Sequence, residues 1–345
     1  MSSVLPTKPK QNGNIDILKF VMALMIVWLH SGFWCRSLSP LLRIPVPVFF
    51  IITSWFFFRK LFEAEAKEDK EGRNRLMRFT RRNLILYGFW FVATFPVTYL
   101  NRQYGDMGLI RCLGEIIYGA TLQSTFVASW FISASVICVA IVYALRRHLS
   151  VPLGIGALLY LLCCINTNYY HAVPAFNEWW EGIVGNYAVY TSFPAGLYWV
   201  AFGAVIARRG SEPSPMSVTP WLVCSLLLLA GESIFVMSQD FQNADDCYLS
   251  LMIVAPLLFL WILAIKPREF SFAVSLRKAS TIFYCLHGSV IRILYLPVGT
   301  ALGMLPDMAL KGIYLILAII ICSIASYLLI TLSRRQSLHW LKYSY

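Results

Sequence analysis

Ten apolar runs, each long enough to cross or nearly cross a bilayer, alternate with short polar joints. That pattern limits what the chain can fold into. A helix needs about 20 residues to span some 30 Å of hydrocarbon. The runs lie at about 14–34, 44–62, 83–101, 129–147, 151–167, 187–207, 219–238, 247–265, 279–299 and 312–333. Of 345 residues, 58% are hydrophobic and 13% charged, whereas a soluble chain carries about 25% charge. The expectation is an all-α, polytopic integral membrane protein of about ten transmembrane helices, forming one transmembrane domain over 1–345. The fifth run is short, and 112–128 is a candidate re-entrant segment. The first run is too long for a signal-peptide core and has no small-residue cleavage site, so it reads as a retained span.

Orientation follows from lysine and arginine placement. With the N-terminus inside, 22 basic residues fall on the cytoplasmic side and five outside (Arg36, Arg43, Arg102, Arg111 and Lys311). Nine of the 22 lie in one basic cytoplasmic loop, 59–82, and two in a cytoplasmic tail, 1–13. Both termini are therefore expected to be cytoplasmic, which requires an even number of spans, in a multi-pass protein of the cell inner (cytoplasmic) membrane. The net charge of +12 then reads as loops facing anionic lipid, with no nucleic-acid partner. Nine cysteines are scattered, mostly through apolar runs, with no CxxC pair. The five histidines (30, 148, 171, 287 and 339) show no metal spacing, so no metal site is expected.

Two ionisable residues stand inside the first run. Lys19 and His30 are eleven residues apart, an advance of about 16 Å and roughly three full turns of α-helix. They share one face, with a cation near one membrane surface and an imidazole near the other. Alone, Lys19 reads equally well as a snorkelling lysine and His30 as a packing histidine. Together they suggest a long ligand with an anionic head lying along the helix. Asp16, one turn before Lys19, is a candidate partner for it.

Further along, V-P-V-F-F-I-I-T-S-W (46–55), R-F-T-R-R-N-L-I-L-Y (78–87), S-W-F-I (129–132) and S-T-I-F-Y-C-L-H (280–287) stand out. With D-I-L-K, ten residues and then His in the first run, this set resembles the membrane-bound acyltransferase 3 family, which includes O-antigen and other surface-polysaccharide O-acetyltransferases. Lys19 and His30 match the family's first-span motif of Arg or Lys, ten residues, then His. Ser54 falls on its serine position in the second span, with Trp55 in place of the usual glycine. Arg78, Arg81 and Arg82 match the basic start of the third span, where Leu86 replaces the usual proline. Trp130, Tyr284 and His287 match later elements.

The resemblance implies transfer of an acyl group, usually acetyl, from acetyl-CoA to a hydroxyl of an extracytoplasmic or lipid-linked glycan. No permanently bound cofactor is expected; the partners are acyl-CoA as donor substrate, the glycan acceptor and the bilayer. The residues agree with this. Coenzyme A is made in the cytoplasm and has a phosphate-rich head, which suits Lys19 and the Arg78, Arg81 and Arg82 cluster. The pantetheine arm would run along the first span and bring the thioester to His30. There the imidazole would act as general base, the preferred reading, or as nucleophile.

Other groups carry two readings. The three arginines also serve as positive-inside anchors. Glu232, within L-A-G-E-S, can orient a histidine, bind a sugar hydroxyl or make an interhelical hydrogen bond. His287 can assist the donor path or sit satisfied in the core. Arg292 can bind an acidic sugar or pair with a carboxylate such as Glu232. Trp130 and Tyr284 can stack on sugar or adenine, or belong to an aromatic belt. No GxSxG elbow, Walker loop or HExxH motif is present. The alternative class is a transporter or flippase of sugars or polar lipids, although the sequence shows none of the internal repeats common in such proteins.

Overall fold

The computed structural model describes residues 12–33, 35–66, 72–102, 104–185, 187–210 and 213–345. Most of the expected tail 1–13, with Lys8 and Lys10, lies outside them, as does 67–71 of the expected basic loop. The described residues are helical, without strands. In chain order the helices are α1 (Gly13–Ser31), a single turn α2 (Ser39–Leu42), α3 (Pro45–Glu65), α4 (Gly72–Arg102), α5 (Leu109–Thr121), α6 (Trp130–Ala144) and α7 (Ser150–Ile165). They continue as α8 (Pro174–Val184), α9 (Phe193–Arg209), α10 (Pro215–Ser238), α11 (Leu251–Ala264), α12 (Ala273–Leu302) and α13 (Asp307–Leu332). A series of 3-10 turns, Gln336–Ser344, follows.

Each of the ten apolar runs carries a helix. Among the described residues, six helical segments are long and apolar enough to cross a membrane: Gly13–Ser31, Arg36–Glu65, Gly72–Leu100, Pro215–Ser238, Ala273–Leu302 and Asp307–Leu332. Helices α6, α7 and α11 are apolar but shorter. The candidate re-entrant segment 112–128 begins inside a helix. Most of it is α5, where Gly119 is the one buried residue and Leu109, Ile110, Leu113 and Ile117 are exposed along one side, the pattern of a helix lying in an interface. The expected basic loop 59–82 is also largely helical. Arg, Lys, Glu and Ala are good helix formers, so α3 runs on to Glu65 and α4 starts at Gly72. The α3 extension is braced by Arg59–Glu63 at 2.9 Å and Arg146–Glu65 at 2.8 Å.

Packing sets helix directions. The α1–α12 interface brings together Asp16 with Arg277, Phe20 with Phe283 and His30 with His287, so these two helices run parallel. In α3–α9, Phe50 meets Gly196, Ser54 meets Val200 and Phe62 meets Arg208, again in parallel. Both relations are what alternate crossings require of a first and ninth span and of a second and sixth. Helix α9 lies deepest, with Trp199, Val200, Ala201 and Ala204 essentially inaccessible. It can sit so close because Gly203 presents no side chain; a Cβ there would lie 2.7 Å from the Ile51 carbonyl oxygen. Small residues at such crossings let helix backbones approach in lipid, where packing replaces the hydrophobic effect as the driving force.

Candidate functional site

Helix α1 carries the site's two ends. The Asn12 side chain accepts the Asn14 N–H at the start of α1, while Gly13 N–H and Asn14 Nδ2 donate to the carbonyls of Arg268 and Lys266. The other end closes at Gly32, whose left-handed φ of 72° suits glycine. Between these caps the helix is continuous, so Lys19 and His30 do share a face. Gly32 stops the helix two residues past His30 and leaves the imidazole in its last turn.

At the Lys19 end, Asp16 is 3% exposed and pairs with Arg277 of α12 at 3.6 Å. The expected Asp16–Lys19 contact is replaced by this interhelical one, because α12 brings a guanidinium against the buried carboxylate. Lys19 is half-buried and within electrostatic reach of Asp16, Arg277 and Arg82. Arg78, Arg81 and Arg82 are exposed on α4, and of the three it is Arg82 whose charge reaches Lys19.

At the other end His30 lines a cavity of about 130 Å³. Its Nδ1 is 2.9 Å from the Ile26 carbonyl oxygen. A carbonyl only accepts, so Nδ1 carries the hydrogen and Nε2 keeps its lone pair as the free base. The buried ring of His287 lies beside it, centroids 4.8 Å apart. It is held the same way, with Nδ1 donating to Phe283 at 2.9 Å, and its buried Nε2 meets no partner among the described residues. His287 does not line the cavity. Next to it, Gly288 allows the segment before α6 to press against α12, since a Cβ would fall 2.2 Å from the Val127 side chain. In the same segment Ala128 has a φ of 64°, and its carbonyl accepts the Tyr284 hydroxyl at 2.8 Å.

Trp130 and Tyr284 both line the cavity, with Tyr160, Tyr190 and Trp199. Two residues that sequence reasoning left out of the site are also there: Arg43, just before α3, and Asp246, before α11, joined in an ion pair. The sequence signal was faint. Arg43 reads from sequence only as one of five basic residues on the outer side, Asp246 stands some 200 positions further on, and nothing local says that they meet.

Three expected residues lie elsewhere. Ser54 is fully buried between α3 and α9, its hydroxyl donating to the Val200 carbonyl. Glu232 neither orients a histidine nor pairs with Arg292. Its carboxylate accepts Leu249 N–H at 2.6 Å, Ser250 N–H at 2.7 Å and the Tyr169 hydroxyl at 2.8 Å, so it caps the start of α11. Burial first, and then the Glu232 carboxylate, raise the Tyr169 phenol well above its ordinary range, which keeps it a hydrogen-bond donor. Arg292 is exposed, within electrostatic reach of Arg102 and His30. No group of three or more metal-ligating side chains is assembled among the described residues.

A family profile described as an acyltransferase domain matches residues 12–332. The chain belongs to the acyltransferase 3 family. Membership supports acyl transfer as the chemistry and fits a multi-pass membrane protein. The acyltransferase chain is also similar to two Enterococcus faecalis proteins, each described as an amino-acid racemase. One is 24% identical over 352 residues, covering 95% of this chain and 47% of the relative. The other is 25% identical over 266 residues, covering 71% of this chain and 35% of the relative. The chain thus spans less than half the length of either relative. No solved structure matches.

Proposed function

We propose that this acyltransferase moves an acyl group, acetyl in the first instance, from cytoplasmic acyl-CoA to a hydroxyl of an extracytoplasmic or lipid-linked glycan. The protein works as a ten-span domain of the cytoplasmic membrane with both termini inside. The observation that carries the reading is one uninterrupted helix with Lys19 among cations at one end and a cavity-lining His30 about 16 Å further along. Lys19 and Arg82, with Arg78 and Arg81 on the same helix, receive the phosphates of coenzyme A. The pantetheine arm follows α1 outward, and the thioester stops in the cavity. His30 takes the acceptor hydroxyl proton on Nε2 as the oxygen attacks the carbonyl, then returns it to the leaving thiolate. The backbone hydrogen bond on Nδ1 favours this base role by fixing the tautomer. Trp130 and Tyr284, in the cavity wall, offer aromatic faces to a sugar ring. The racemase name belongs to proteins more than twice as long as the matched region and is not carried to this chain.

The test is acyl transfer from labelled acetyl-CoA to envelope glycan in vesicles, with release of free thiol. His30→Ala is expected to abolish both signals while membrane insertion stays intact. Lys19→Ala is expected to raise the KM for acetyl-CoA about tenfold, equivalent to the loss of about 1.4 kcal/mol of donor binding. Glycan movement without thiol release would favour a transporter instead, and full activity in His30→Ala would end the assignment of that residue as base.

A further inference from the structure

Resting on the acyl-transfer reading, we propose that Arg43, aimed by Asp246, is a catalytic residue that holds the oxyanion formed at the thioester carbonyl. A general base alone leaves half of the reaction unattended. As the hydroxyl oxygen attacks, the carbonyl oxygen gains a full negative charge, and donors already in place there are commonly the largest single source of rate enhancement. The cavity around His30 is walled mainly by aromatic and aliphatic side chains, and among the described residues Arg43 is the one lysine or arginine that lines it. A charge in such surroundings acts with little screening.

Arg43 is built to be still. Its Nη1 donates to Asp246 Oδ1, and Asp246 is fixed in turn by its backbone N–H donating to Asn168 Oδ1 at 2.9 Å. Asn168 is fully buried. This chain of contacts holds one edge of the guanidinium through Nη1, and its buried Nε meets no partner among the described residues. A guanidinium offers five donors in a fixed fork, so one edge serves Asp246 while another stays available to a ligand. The side chain is 21% accessible, and its charge reaches His30 together with those of Asp246 and Arg292. Base and oxyanion donor therefore share one small space.

The step balances within these groups. The acceptor oxygen forms the new C–O bond, its proton passes to His30 Nε2, and the carbonyl electron pair moves onto oxygen against the Arg43 N–H. Collapse restores the C=O bond and breaks C–S. The departing coenzyme A thiolate takes the proton from His30, leaving an ester and free thiol.

The test uses the full chain in vesicles, with labelled acetyl-CoA as donor and the producing cell's envelope glycan as acceptor. Arg43→Ala alone strands the Asp246 carboxylate and risks misfolding. The informative variants are therefore Arg43→Lys, which keeps the ion pair, and the double variant Arg43→Ala/Asp246→Asn, which removes both charges. The double variant is expected to lose about 100- to 1000-fold in kcat, the usual effect of deleting one oxyanion donor, with the KM for acetyl-CoA within twofold of wild type and partial rescue by added guanidinium ion. Arg43→Lys is expected to lose at least tenfold, because one ammonium cannot serve the carboxylate and the oxyanion in the same geometry. Wild-type kcat in either folded variant, or a change confined to the KM of the acceptor, overturns the role. A wild-type protein that transfers no acetyl group overturns the acyl-transfer reading, and this role with it.

Discussion

Glu232 shows how the structure converts a buried charge from a suspected functional group into a helix anchor. Its two oxygens accept two backbone N–H groups at the start of α11 and one tyrosine hydroxyl. The N-terminal N–H groups of a helix have no partners within it, and a negative charge there is favoured by the helix dipole. Glu232→Gln keeps one acceptor oxygen and places an NH2 where the other stood. One backbone N–H then faces a donor, and the remaining bonds change from charged to neutral. Bonds to charged groups contribute about 1.5–3 kcal/mol each and neutral bonds about 0.5–1.5 kcal/mol. Partial exposure favours the low end, so the expected loss is about 2–3 kcal/mol. The assay is reversible unfolding in mixed micelles of increasing SDS fraction, followed by tryptophan fluorescence. Tyr169→Phe removes one of the three bonds and should cost about 1 kcal/mol, and it should cost less in the Glu232→Gln background, since the two residues share a contact. A Glu232→Gln loss below about 0.5 kcal/mol, the smallest net value for one bond, would refute the capping account.

Two further outcomes follow from packing and from the paired histidines. Gly203→Ala should destabilise the fold by about 1–3 kcal/mol in thermal unfolding, because the new Cβ meets the Ile51 carbonyl oxygen at 2.7 Å and Ser54 Cβ at 2.8 Å; unchanged stability would mean that α3 yields freely. His287→Leu keeps the buried volume beside His30 but removes a polarisable ring from beside the base. It should lower kcat with little change in the KM for acetyl-CoA, whereas unchanged steady-state kinetics would mark the contact as packing alone.

The amino-acid sequence determined the helical membrane class, the approximate place of the helix in each of the ten apolar runs and the shared face of Lys19 and His30. These are local properties: hydropathy over about 20 residues and the angular repeat of one helix do not depend on what packs against it. Helix continues into the expected basic loop for a related reason, since the hydropathy that marks a span says nothing of polar residues with high helix propensity, which carry a helix past the apolar run. Tertiary structure alone decided the rest. It set α12 parallel to α1, which turned Asp16 from Lys19 to Arg277 and brought His287 to His30. It closed Arg43 onto Asp246 across some 200 residues of chain, and sent Ser54 and Glu232 into helix contacts away from the base. A side chain's partner in a bundle is fixed by which helices adjoin and in what register, and that depends on the packing of the whole set of helices at once.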